Sequence, residues 1–585
     1  MKNTTFKIFV GGILFLVGFM IASAKSPPTK VYYEVLPLTS TDAPKIKIGL
    51  SFKGDLSGST KIRLPLEFGG QSRLYQAIKN LRLTIPNAEL IDTDQPEIKI
   101  VRHAGGSIIR LEYELIQDWA GEPQAGGASE NAGGGYRPIL QTGYFHFLGS
   151  GAWVLPDLAN DSELKVSIKW KNVPQNSMLA NSFGTNQAAQ SFSTSVESFT
   201  SAVFVGGDYK IVRITVKGKP VFAAMRGKWN FTNEEFAALV AKIIGAQREF
   251  WNDFDHPYYL VTLSPLKSDP NSKSIGGTGL TNSFATFVTT NATLSEIAPL
   301  LAHEYFHNWN PLAFGGMRQP EQLVYWFTEG FTDFYTYRML LRAGLINLEQ
   351  YAARYNEFLS DYYRSPARNE NNQRVLRDFF SDNAVYKLPY RRGMFLATKW
   401  NEIIRKQSGG AKSLDDVMRR ILRDARAGKI KEISTDYVVS ILSQHAAYDF
   451  AGDVEKYVEK GDTINDFNKV FGECMNSFTV SSGNFELGFD FETARTRRVM
   501  GQVVETSAAY AAGVREGQKI LGISVYFGMT DKPVKLTIEE NNQSREITYF
   551  PETTEKILIP QFKIKENLSE NEISRCVNTT GLSKL

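Results

Sequence analysis

"LLAHEYFHNWNP", residues 300–311, is the stretch on which the fold turns. It holds two of the six histidines in 585 residues, four apart, with Glu304 directly after His303. On an α-helix a spacing of four puts both imidazoles on one side, their β-carbons roughly 5–6 Å apart. Two ring nitrogens so placed reach one zinc ion at about 2.0–2.1 Å. Glu304 then points beside the ion, where a carboxylate takes a proton from water and passes it to a leaving amine. With so few histidines the spacing is a poor product of chance. The motif alone still leaves a purely structural helix as the alternative, so a third ligand is needed.

Working outward, Pro299 is tolerated in a first helical turn, which makes Ser295 the expected cap, and Asn310-Pro311 stops the helix. The next helix is expected from about Glu321 to Leu341, ended by Gly344. It carries "YWFTEGFTDFYTYR", residues 325–338, with Glu329 at the centre of an aromatic, otherwise apolar face. An acidic group there is costly to bury unless it is paired or bound to a metal. His303, His307 and Glu329 make a His-His-Glu set with an open fourth position, the arrangement of hydrolytic zinc. Asp333, one turn on, is expected either to support a ligand imidazole or to be a solvated helix residue.

At 585 residues the chain exceeds one hydrophobic core, and we expect a multidomain α+β protein. Residues 1–24 read as a signal peptide: Lys2 and Lys7 precede the apolar run "IFVGGILFLVGFMIA", which ends at Ala22-Ser23-Ala24. This predicts a periplasmic or secreted protein with no membrane span after cleavage; an uncleaved anchor is the alternative. Residues 25–204 alternate polar and apolar positions, as in "KIKIGLSF" and "LKVSIKW", and predict an antiparallel β-sandwich. The stretch from Ala120 to Gly135 is a flexible surface loop by composition. Residues 205–460 form a mostly helical catalytic domain, with a capping box at Thr232 and Glu235. Residues 461–585 return to strands. The net charge of +4 is not gathered into a basic stripe, so nucleic acid is not an expected partner. Cys474 and Cys576 are the only cysteines, either bridged or free.

The order of "HEYFHNWN", "YWFTEGFTDFY" and an upstream "GGTGLTNS", followed by a PDZ-like segment, resembles the glycyl aminopeptidase family of gluzincin zinc metallopeptidases. The resemblance spans most of residues 30–560. It implies a thermolysin-like central domain, one Zn2+ and a peptide or protein substrate. It also implies that a tyrosine in a Tyr-x-x-Gly setting stabilises the oxyanion, and "LPYRRGMFLATKW" offers Tyr390 for that role; the alternative is a structural tyrosine. A donor of that kind is typically worth about 3 kcal/mol.

Two stretches depart from the family. Its substrate strand resembles Gly-Gly-Leu-Glu-His, whose glutamate is implied to grip a free amino terminus. Here the strand reads Gly276-Gly277-Thr278-Gly279-Leu280, so the acidic position holds Gly279. Exopeptidase and endopeptidase action therefore both stay open, since the strand can bind a peptide through its main chain. In the PDZ-like segment "GQVVETSAAYAAGVREGQKILGISV", residues 501–525, the residues after Leu521 lack a helical pattern before the next strand. We expect intramolecular packing there rather than a peptide receptor. The competing function is a gluzincin-fold scaffold that has lost catalysis.

Overall fold

The computed structural model describes residues 27–580 except 125–134, 269–272, 466–470, 472–473, 528 and 542. The expected signal peptide and most of the expected 120–135 loop lie outside the described residues. Among the described residues no helix is long and apolar enough to cross a membrane.

The N-terminal part is β-rich, as its period-two runs predict. A six-stranded sheet runs in the order Ala189–Ser195, Glu163–Trp170, Thr29–Leu38, Lys45–Lys53, Ile108–Ile116, Ile78–Leu83, beside sheets of four and five strands. In Lys45–Lys53, Ile46, Ile48, Leu50 and Phe52 alternate inward onto a core that includes Trp153, Phe199 and Phe204. The expected antiparallel pairing fails at one place: Thr29–Leu38 lies parallel to Glu163–Trp170.

A second departure follows. Helices dominate later than expected, because residues 210–289 build a mixed sheet of β1 (Lys210–Val216), β2 (Lys219–Met225), β3 (Tyr259–Leu266), β4 (Ile275–Leu280) and β5 (Ser283–Thr289). Its order is β1-β2-β3-β5-β4, leaving β4 at an edge. β5 is buried throughout and β3 nearly so; continuous apolar runs of this kind lack the alternation that reveals a strand. Helix α1 (Asn233–Trp251) starts at the expected Thr232–Glu235 box and covers the sheet.

Helix α2 (Leu294–Phe306) begins two residues earlier than its proline suggests. Thr293, not Ser295, precedes it, because the Glu296 carboxylate accepts both the Thr293 N–H at 2.8 Å and its hydroxyl at 2.9 Å. That box outweighs the one internal hydrogen bond Pro299 forgoes. Helix α3 (Tyr325–Arg342) follows a short 3-10 turn over Glu321–Val324 and is buried on nearly every side. Helices α4 (Leu348–Arg364) and α5 (Asn383–Gln407) complete the frame. α3 and α5 meet at Gly330 and Gly393: a β-carbon on Gly393 would lie 1.7 Å from the Trp326 carbonyl oxygen. Only glycine permits this approach, which brings the Tyr390 turn of α5 against the Glu329 turn of α3.

At the C-terminal end, β6 (Met475–Phe485) pairs with β10 (Glu552–Ile564), enclosing a meander of β7 (Lys519–Ser524), β8 (Val534–Glu540) and β9 (Gln543–Tyr549) with its own small core. The ribbon docks on α4, where the Asn356 side chain accepts from the Phe562 N–H and donates to its carbonyl, both at 2.8 Å. Cys474 and Cys576 are bridged, their α-carbons 5.5 Å apart.

Candidate metal centre

His303 sits in the last turn of α2 and His307 caps its end. Glu329 and Asp333 stand one turn apart on α3. Nε2 of His303 lies 3.1 Å from Nε2 of His307 and 3.2 Å from Oε2 of Glu329, which is 3.5 Å from Nε2 of His307. A tetrahedral zinc with bonds of about 2.0–2.2 Å requires ligand atoms about 3.3 Å apart. The observed triangle matches that face. Among the described residues it is the one group of three His, Cys, Asp or Glu side chains that close.

The hydrogen bonds behind the rings fix their tautomers. Nδ1 of His307 donates to the carbonyl of Asn310 at 2.8 Å, and Nδ1 of His303 donates to the Asp333 carboxylate at 2.9 Å. With Nδ1 of both rings donating behind, the two Nε2 atoms face one another and a carboxylate. That array favours a cation between them, a metal ion or, without one, a proton. The formal charge agrees: three carboxyl groups, Glu304, Glu329 and Asp333, border the rings, and the Arg391 guanidinium lies 3.0 Å from Asp333, leaving an excess that a divalent ion offsets. The residues present therefore fit a zinc ion.

Without an ion, burial works against charge throughout the cluster. It pushes His303 down, but hydrogen bonds to Asp333 and Glu329 outweigh it and the ring is raised well above its ordinary range. Burial likewise opposes ionisation of Glu329, yet the two imidazoles hold its carboxyl far below the usual carboxylate range. Glu304 is raised by burial, with His307 and His303 opposing.

Glu304 projects beside the triangle, and its Oε2 accepts the Gly279 N–H at 3.2 Å. Gly279 thus supplies a main-chain donor to this carboxylate from the open edge of β4. Gly277, Thr278 and Gly279 line a cavity of ≈ 440 Å³ together with His303, Glu304, His307 and Glu329; Gly276 is outside the lining. Tyr390 lies across the cavity, its ring 5.9 Å from that of His303. Burial and the Glu329 charge hold its phenol protonated. Its hydroxyl donates to that of Tyr386, one turn earlier on α5, at 3.3 Å.

Asp333 is the partner of His303, not a solvated residue. Sequence reasoning missed Asn310, Arg391 and Tyr386. Asn310 acts through a main-chain carbonyl that any residue carries, freed because the helix ends before Pro311. Arg391 had one signal, its place beside Tyr390, and α5 thereby reaches both the cavity and the Asp333 that backs His303.

The description "M61 glycyl aminopeptidase" belongs to the family model that matches residues 296–378. No curated protein matches the chain. Among solved structures, the aminopeptidase N family protein from Idiomarina loihiensis superposes with a TM-score of 0.68 at 14% identity, covering 94% of this chain and 100% of that one. The M1 zinc metallopeptidase from Deinococcus radiodurans gives 0.45 at 12% identity over 75% of this chain and 95% of its own. Yeast LTA4 hydrolase in complex with bestatin gives 0.45 at 13%, over 76% and 70%. The first likeness extends a shared fold across the β-rich N-terminal part and the helical centre together.

Proposed function

We propose that this chain, which belongs through residues 296–378 to the glycyl aminopeptidase family of gluzincins, hydrolyses peptide bonds at one zinc ion held by His303, His307 and Glu329. The observation that carries the proposal is the pair of facing Nε2 atoms, both rings pinned from behind, with Glu329 closing the triangle. Bound there, zinc supplies Lewis acidity toward a carbonyl and lowers the pKa of water.

The chain's own groups do the rest. Glu304, oriented by the Gly279 N–H, accepts the proton of the attacking water and returns it to the leaving amine; its raised pKa suits that exchange. Tyr390 donates a hydrogen bond to the developing oxyanion, releasing Tyr386 as it does so. Asp333 holds His303 in the tautomer that offers Nε2. β4 receives the substrate backbone along its unpaired edge through Gly277, Thr278 and Gly279.

The described residues around the cavity offer no carboxylate beyond Glu304 and Glu329, which favours binding that does not depend on a free amino terminus. Comparing one peptide with free and acetylated amino termini tests this; strong loss on acetylation restores the aminopeptidase reading. The bridge between Cys474 and Cys576 suits an exported protein, in line with the expected signal peptide. We read the PDZ-like segment as packing, because the β6–β10 ribbon that encloses it docks on α4 through the Asn356–Phe562 contacts.

Metal analysis and turnover of Glu304→Gln test the whole. The variant should keep one zinc per chain and lose about 10²–10⁴-fold in turnover. Wild-type rates in that variant, or a wild-type protein that binds zinc yet cleaves no member of a peptide library, would leave the scaffold reading in its place.

A further inference from the structure

One wall of the cavity is contributed from outside the zinc helices. Tyr136 belongs to the N-terminal β-rich part, yet it lines the same cavity as Glu304 and Gly279. Its phenol stands beside Thr278 of β4 in that lining. The segment that carries it is fastened on both sides. Gly135 lies so close to Phe287 of β5 that a β-carbon there would come within 1.9 Å of the ring. Arg137 is buried and clamps Asp118 through two nitrogens while donating to the Ser72 carbonyl at 3.0 Å. The Tyr136 ring packs on Phe68, 5.8 Å between centroids. A tyrosine held this firmly is placed, not hanging from a loop.

Beyond the metal cluster the wall opposite is apolar and unusually open. Phe380 is 77% exposed, Leu312 61% and Tyr386 42%, and all three line the cavity with Phe379 and Tyr390. Large apolar side chains left in water at the mouth of a cleft mark a binding surface. The charged groups within belong to the His303, His307, Glu304 and Glu329 cluster, so the rim offers a substrate side chain aromatic faces and no charge.

We propose that Tyr136 is a specificity-determining residue: with Tyr386 and Phe380 it encloses the side chain beside the scissile bond and selects peptides carrying a large apolar or aromatic residue there. The selection rests on the peptidase reading above, and it makes glycine, which has no side chain to enclose, a poor choice at that position. An apolar pocket of this kind discriminates about 10- to 200-fold.

The test scans one Phe or one Gly along an alanine pentapeptide amide and reads kcat/KM with the cleaved bond identified by mass. Wild type should prefer the best Phe peptide over its Gly counterpart by at least about tenfold. Tyr136→Ala should cut that ratio by about tenfold, and Tyr136→Phe should keep it, because the ring and not the hydroxyl is used. Zinc content and thermal midpoint report any purely structural effect, and Tyr136→Leu replaces the alanine variant should that one unfold. An unchanged ratio in Tyr136→Ala or Leu, or a wild type that prefers the Gly peptides, overturns the assignment. Calorimetric binding of the same peptides to zinc-loaded Glu304→Gln, with and without the Tyr136 change, decides the matter even if no wild-type cleavage is seen, which separates failure here from failure of the peptidase reading.

Discussion

Glu329 and Asp453 are two carboxylates of the same helical core, and they keep different company. Asp453 meets Lys399 Nζ at 3.0 Å, Trp400 Nε1 at 2.8 Å and the Tyr448 hydroxyl at 3.0 Å. One cation and two neutral donors answer it, all from within the fold. Glu329 meets only the Nε2 atoms of two imidazoles whose Nδ1 protons are used behind the rings. A buried charge that is fully answered holds the fold together; one that faces only two imidazoles draws a metal ion or a proton from outside. The difference separates a structural pair from a site more sharply than burial does, since both carboxylates are largely withdrawn from water.

Breaking each side in turn gives the largest effects. Glu329→Gln should abolish equimolar zinc binding and with it hydrolysis, read by metal analysis and turnover. Asp453→Asn should keep its zinc but lose about 3–5 kcal/mol in denaturant unfolding, because Lys399 is left buried and unanswered. Metal loss from Asp453→Asn, or metal retained by Glu329→Gln, would erase the distinction. Within the site, Tyr390→Phe should lower kcat about 10²–10³-fold with KM little changed. Tyr386→Phe, which removes only the hydroxyl that Tyr390 uses at rest, should cost less than Tyr390→Phe, and equal losses would shift the oxyanion role between them.

A smaller effect tests how the metal side is held in shape. Arg391 fixes Asp333 from α5 and its guanidinium lies 4.0 Å above the Phe358 ring. Arg391→Met should weaken zinc binding about 10–100-fold in chelator competition, the range for groups that orient a ligand from behind, and Arg391→Lys should recover part of it. An unchanged zinc affinity would mean that Asp333 needs no anchor.

These residues also mark how far the chain can be read before it folds. His303, Glu304 and His307 are legible because the helix imposes their geometry locally, and Glu329 because an acid among aromatics is conspicuous. Tyr136 and Arg391 are not, since their importance arises from segments distant in the chain meeting in space or from contact across a helix pair, and nothing in their immediate neighbours signals it. The mixed sheet escapes for a related reason: strands buried on both faces lose the alternation that exposes them. The early start of α2 reflects a local competition, a capping box against a proline, which the capping box wins. Gly279 is legible as a missing acid, while its use as a donor to Glu304 appears only once β4 lies beside α2.

The same contrast between answered and unanswered groups extends to His146, with a gentler consequence. Its ring is fully buried between the N-terminal strands and β5, edge-on to Phe287 at 4.8 Å, and neither nitrogen finds a partner outside its own main chain. Burial lowers its pKa from an ordinary 6.5 to about 3. Between those values the unfolded chain binds a proton that the folded chain refuses, so stability falls as pH drops through 6.5 and levels off near 3, at about 1.4 kcal/mol per pH unit. Unlike Glu329, this group needs no ion: it stays neutral at pH 7 and carries no buried charge until acid is added. His146→Leu should remove that slope, so unfolding free energies of wild type and variant, measured from pH 7 to 4, should converge or cross as acid is added. Parallel curves would mean that the wild-type ring opens to solvent before it titrates.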